Sequence, residues 1–249
     1  GLTHVSAEDY EKNQTQDMFR QTYRQILEEK NRLIDQYRHG GEVYGEDLRV
    51  LRNNIDDHKK EAQARLNDLL LAEFSKRGVK FEQATWDAAK GKEGKSTKRT
   101  LNIEDIKALH PFHWGYEFDE ILNQRGGFDA IITNPPWEVF QTDEKEFSQE
   151  FDSSIQKNKL KLEDWKKQFA ELMEIPEIQK AWLAYASHFP YVSSWFKSAP
   201  QYSNQTSGKI NLYLLFVEQS YNLLRMDGKC GIVIPSGIYT DLGARGLRN

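Results

Sequence analysis

The segment that most limits what this chain can fold into is a short one, Phe128–Thr133 with the sequence FDAIIT. Gly126-Gly127 precede it and Asn134-Pro135-Pro136 follow it. An apolar run this short, fenced by backbone breakers, reads as a buried strand of a mostly parallel sheet. A second such run, Lys229–Ile234 (KCGIVI), stops at Pro235 and reads the same way. Between them lies a polar, helical stretch, 141–206, with Trp165, Phe169, Leu172, Trp182, Tyr185 and Trp195 for packing. A helix from Asn211 to about Arg225 follows, ended by Gly228. Strand, excursion, helix, strand is the grammar of an α/β sheet.

The first third has a different character. From Glu8 to Arg38 there is no Gly or Pro, and Met18, Tyr23, Ile26, Leu27, Leu33, Ile34 and Tyr37 recur at helical spacing. His39-Gly40-Gly41 is a stop signal. A second run, from Glu46 to Arg77, carries Leu48, Leu51, Ile55, Ala62, Leu66, Leu69, Leu70 and Phe74 and ends at Gly78. Together they predict a helical hairpin over 8–78, a plausible surface for a homodimer. Residues 90–99, KGKEGKSTKR, read as an exposed basic loop whose five Lys/Arg are either simply solvated or touch phosphates. Leu101–Leu109 reads as a short helix. The expected division is 1–100, hairpin and basic loop, and 101–249, a catalytic region with its insertion at 141–206.

Composition excludes several classes. The 249 residues carry 34 Lys+Arg against 38 Asp+Glu, so no global charge attracts nucleic acid. Cys230 is the single cysteine, which rules out an internal disulfide framework. It lies inside a predicted strand and reads as core. His110 and His113 lack the Cys or carboxylate companions of a metal site, and no metal is expected. No apolar run has membrane-spanning length and no signal peptide opens the sequence. A reducing, cytoplasmic setting is expected.

The chemistry sits in Asn134-Pro135-Pro136-Trp137, at the carboxyl end of the first strand, where open α/β sheets place ligands. Consecutive prolines stiffen the backbone, remove donors and present carbonyl oxygens. Asn134 adds a side-chain acceptor and Trp137 a flat π-face. Two acceptors beside an aromatic plate suit a planar ring bearing an exocyclic amine. The acceptors hold the NH₂ protons, the nitrogen lone pair is freed for an electrophile, and the plate stacks the ring. A structural Pro-Pro turn is the plain alternative.

FDAIITNPPW resembles the [DNS]-P-P-[YFW] motif of the S-adenosylmethionine-dependent amino-methyltransferases. With HPFHWGYEFDEIL before it and KINLYLLFVEQSYNLLRMDGKCGIVIPSGIYTDLGARGLR after it, the chain is similar to the large adenine-specific DNA methyltransferases of restriction–modification systems. The likeness covers roughly 109–140 and 207–248. It implies a partial Rossmann-like methyltransferase sheet, with S-adenosylmethionine as cofactor and double-stranded DNA bearing a flipped adenine as partner, in a bacterial or archaeal cell. Asn134 and the Pro135 carbonyl would accept from the adenine N6 amine, Pro136 would stiffen the loop and Trp137 would stack on the base. Asp129 and Asn211 are weaker candidates for cofactor contact; Asn211 either lines the pocket or only caps its helix. The Ser236-Gly237 turn reads as a plain turn.

The family's Gly-rich cofactor loop is not found before Asn134, nor is a ribose-binding acid at the end of a second strand. The resemblance therefore implies an internal fragment, inactive alone. Two other readings compete: methylation of RNA or of protein glutamine, and a non-enzymatic helical interaction module.

Overall fold

A computed structural model describes residues 17–39, 48–151, 162–205, 208–240 and 242–248. Two long helices, α1 (Asp17–His39) and α2 (Leu48–Lys76), pack against each other. The predicted residues 8–16 and the stop at Gly40-Gly41 lie outside the described residues. The second stop signal is built as the sequence suggests. Gly78 has φ +68°, Val79 N–H donates to the Phe74 carbonyl (3.1 Å) and Gly78 N–H to that of Ser75 (2.9 Å). This paired closure needs a left-handed residue, which glycine supplies without a Cβ penalty.

The segment read as a basic loop is exposed but is not a loop. It belongs to a two-part antiparallel ribbon. Strand β1 (Lys80–Gln83) pairs with β4 (Thr97–Thr100), and β2 (Trp86–Asp87) with β3 (Lys92–Glu93). Strands this short and polar leave no hydrophobic alternation to read. Their order comes from tertiary contact: Phe81 packs on Tyr191 and Trp86 on Phe169. Next comes α3 (Ile103–Lys107), started by a reciprocal cap. Asn102 accepts from the N–H of Asp105 (3.1 Å), and Asp105 accepts from that of Asn102 (2.8 Å). Helix α4 (Trp114–Glu117) and a π-helical turn (Glu120–Gln124) lead to the sheet.

Strand β5 (Phe128–Thr133) matches the predicted run and pairs in parallel with β6 (Leu224–Ile232). Between them run α5 (Glu144–Gln149), α6 (Leu162–Leu172), α7 (Pro176–Ser198), a 3₁₀ turn (Pro200–Tyr202) and α8 (Leu212–Leu223). A short α9 (Gly237–Thr240) and a 3₁₀ segment (Leu242–Arg248) follow β6, the latter placing Ala244 against Tyr213 and Leu214 of α8.

Three expectations change here. Helix α8 ends at Leu223, and Gly228 lies within β6 instead of terminating the helix. The register runs Phe128↔Leu224, then Ala130↔Lys229, so the extra residues of β6 bulge outward. Glycine is required at both sides of that bulge: a Cβ on Gly127 (φ +130°) would lie 2.5 Å from Arg225 N, and one on Gly228 2.9 Å from the Phe128 carbonyl. The strands are also not buried on both faces. Ile132 is 89% exposed, Val233 is 58% exposed and Cys230 is exposed, so the cysteine is not core. The physical reason is that the parallel sheet among the described residues is this one pair. The chain is mixed α/β, and among the described residues there is no wider Rossmann-like sheet.

The main core is helical. Phe74 of α2 stacks on Trp195 of α7 at 4.2 Å and 5°, with Ile26, Leu70, Tyr191, Phe196 and Tyr202 around them. A second cluster joins Phe147, Trp165, Phe169, Met173 and Trp182. No helix among the described residues is long and apolar enough to cross a membrane.

Candidate active site

The tetrapeptide Asn134–Trp137 leaves β5 at its carboxyl end and is fastened on two sides. On the β6 side, Val233 N–H donates to the Thr133 carbonyl (3.1 Å), and the Trp137 indole Nε1–H donates to the Val233 carbonyl (3.2 Å). On the α8 side, Phe140 N–H donates to the Ile210 carbonyl (2.8 Å) and Leu212 N–H to that of Glu138 (3.0 Å), around an antiparallel bridge between Val139 and Asn211. Phe140 then packs on Phe189 and Phe196 of α7. With two prolines inside, the loop has few backbone freedoms left to lose.

What it presents follows from these anchors. Pro135 is buried, whereas Asn134 and Pro136 are exposed. The Asn134 side chain makes no hydrogen bond with any described residue, so its carbonyl and amide face outward unspent. Trp137 is 53% exposed, yet its ring is held by the indole bond. Unbound acceptor, rigid backbone and oriented aromatic plate lie within four consecutive residues.

Asn211 sits beside the loop. It occupies the N-cap position of α8, but its side chain makes no capping bond; its N–H instead donates to Gln205 Oε1 (3.1 Å). Among the described residues the side chain has no hydrogen-bond partner. Asp129 is not brought to the same place. It lies at the amino end of β5, roughly 16 Å from Asn134 at about 3.3 Å rise per residue. There it bonds Arg125 (2.7 Å) and Arg225 (2.8 Å). A carboxylate already paired with two guanidinium groups is a poor ligand for ribose hydroxyls. The exposed Asn134 side chain and the Trp137 ring thus lie together at the carboxyl end of β5, and Asp129 is not among them.

Sequence reasoning missed the anchors Val233 and Gln205. Val233 acts through its backbone carbonyl from far along the chain, and Gln205 through a side-chain oxygen that accepts from the Asn211 N–H; neither has a local signal. It also missed the apolar cleft of about 630 Å³ between β5, α7 and α8, lined by Trp114, Phe118, Phe128, Ile132, Phe196 and Phe216 among others. Thr133, Gln219, Ser220 and His188 are its polar lining, and burial lowers the pKa of His188. His113 does not take part. Its Nε2 pairs with Asn67 Oδ1 (2.9 Å), and burial pushes its pKa down to about 4.

No solved structure matches this chain. A protein of Methanocaldococcus jannaschii, provisionally named a type II restriction enzyme and methyltransferase, is 44% identical over 43 residues. That match covers 17% of this chain and 4% of the relative, so the chain spans a small part of the curated relative's length. The model of the Eco57I restriction-modification methylases matches residues 27–174 and 141–249. The second long helix, the parallel strand pair and the clamped loop fall within those matches, and the chain belongs to the Eco57I restriction-modification methylase family.

Proposed function

We propose that this chain carries the acceptor site of an S-adenosylmethionine-dependent DNA adenine-N6 methyltransferase of a restriction–modification or phage-defence system. The observation that carries the reading is the clamped Asn134–Trp137 loop, with an unspent amide beside a fixed, half-exposed indole.

A flipped adenine stacks on the Trp137 ring and presents its N6 amine to Asn134 Oδ1 and the Pro135 carbonyl. Two acceptors hold the two protons and draw the nitrogen toward tetrahedral geometry, leaving its lone pair for an electrophilic methyl group. The site contains no strong base, and the gain comes from positioning and electrostatics. Holding the loop in place before the base arrives matters because a misplacement of about 1 Å can cost on the order of a hundredfold in rate. S-adenosylmethionine would supply the methyl group: its S–CH₃ bond breaks as the N6–CH₃ bond forms, S-adenosylhomocysteine leaves, and the surplus N6 proton passes to water. The unbonded Asn211 side chain is the nearest candidate for touching it, and Asp129 is occupied elsewhere.

The test is base capture by the whole chain. A duplex with 2-aminopurine at an unpaired position brightens when that base leaves the stack. Brightening with wild type but not with Trp137→Ala is expected; because 2-aminopurine lacks the N6 amine, Asn134→Ala is read on a duplex with adenine at the same position, where a loss of about tenfold or more in affinity is expected. Equal binding by Asn134→Ala overturns the reading. Preference for an RNA strand, or for a glutamine peptide, moves the substrate to another amine or amide on the same geometry.

A further inference from the structure

The ribbon of β1–β4 has no part in the amine site, yet it carries a local excess of positive charge. Over residues 76–99 there are eight Lys or Arg and three Asp or Glu, in a chain whose net charge is −4. Part of this charge is spent internally. Lys98 pairs with Glu82 (2.7 Å), Lys90 with Asp87 (3.0 Å) and Arg99 with Asp105 (2.6 Å). Lys80, Lys92 and Lys95 are exposed and have no acidic partner among the described residues.

Two faces of the ribbon divide the work. On the inner face Arg99 lies over the Phe81 ring at 3.8 Å, and Phe81 packs on Tyr191. Ser187 of α7 accepts from Ala84 N–H (2.8 Å) and Gln83 Nε2 (3.2 Å). The ribbon backbone is thus fastened to α7, which fixes where its cations stand. The same helix holds the active loop through Phe189 and Phe196, so ribbon and loop share one support. The outer face offers Lys80, Lys98, Thr100 and, farther along, Lys92 and Lys95. It has no exposed aromatic or aliphatic anchor, which a protein interface would need at its centre. Ammonium and hydroxyl groups on a rigid ribbon are instead the equipment of sequence-independent phosphate contact.

We infer that this ribbon is a second DNA-contacting surface, gripping the phosphate backbone of duplex DNA through Lys80, Lys92 and Lys95. It rests on the DNA-directed reading above but not on methyl transfer.

The test is the salt dependence of binding to a random-sequence duplex, read by fluorescence anisotropy with the whole chain. Each phosphate neutralised contributes about 0.9 to the slope of log K against log salt. The triple variant Lys80→Gln, Lys92→Gln, Lys95→Gln is expected to lower that slope by roughly 2 to 3 and to weaken binding about tenfold or more at low salt. Replacement of the same three by Arg restores both. Lys166→Gln with Lys167→Gln, exposed on α6, changes neither. An unchanged slope in the glutamine variant overturns the inference, as does the absence of any duplex binding by wild type at low salt. Failure of the adenine reading shows differently: no 2-aminopurine signal, with a normal salt slope in the wild-type chain.

Discussion

The helical core and the strand pair are built by opposite means. Around Phe74 and Trp195, stability comes from side chains: both are fully buried and their rings stack. At β5 and β6 it comes from backbone geometry, while the outward side chains remain in water. The core can therefore tolerate any surface but not a smaller ring. The strand pair can tolerate many side chains but not a changed backbone. The Asn134–Trp137 loop belongs to the second regime, since all but one of the hydrogen bonds that fasten it are main chain to main chain.

Substitutions can break or sharpen that contrast. The largest effect is expected in the core, where Trp195→Ala or Phe74→Ala should cost about 3–5 kcal/mol by urea denaturation. An intermediate and pH-dependent effect is expected at His113. Its folded pKa is near 4, below the ordinary 6.5, so the unfolded chain takes up a proton that the folded one refuses. Stability from neutral His113 is complete above about pH 6.5 and is lost as pH falls toward 4, on the order of 3 kcal/mol in all. His113→Gln should flatten that part of the pH profile.

In the strand pair, Gly127→Ala should cost about 2–3 kcal/mol, because a Cβ there meets the Arg225 backbone and φ is +130°. Trp137→Phe keeps a plate but drops the bond to Val233. It should change stability by less than about 1 kcal/mol while loosening base capture in the 2-aminopurine assay. The smallest effect belongs to Ile132→Thr, within about 0.5 kcal/mol, since that side chain already stands in water. A core-sized loss at Ile132 would erase the contrast.

What was legible in the sequence followed from local chemistry. Breakers on both sides of FDAIIT located β5, Gly78 located the end of α2, and the prolines located the loop. Three features were not legible. The ribbon at 80–100 takes its order from Tyr191, Ser187 and Phe169, all distant in sequence. The exposure of Cys230 and Ile132 depends on how many strands flank them, which an apolar run does not reveal. The helix-to-strand change at Leu223–Leu224 depends on pairing with Phe128, since the local sequence is still helical in pattern. Within the site, the four motif residues were legible as a unit, whereas their fastenings at Val233 and Ile210 lie in carbonyl groups that every residue possesses.

Cys230 stands in register with Ile131, on the face where the strand pair meets water. Because the chain has no other thiol, a maleimide dye would label that one position. The rate of labelling then becomes a clock for the strand pair: fast while the face is open, slowed by whatever lies down on it. The molecule carries its own reporter two residues from the end of the strand beside the Asn134–Trp137 loop.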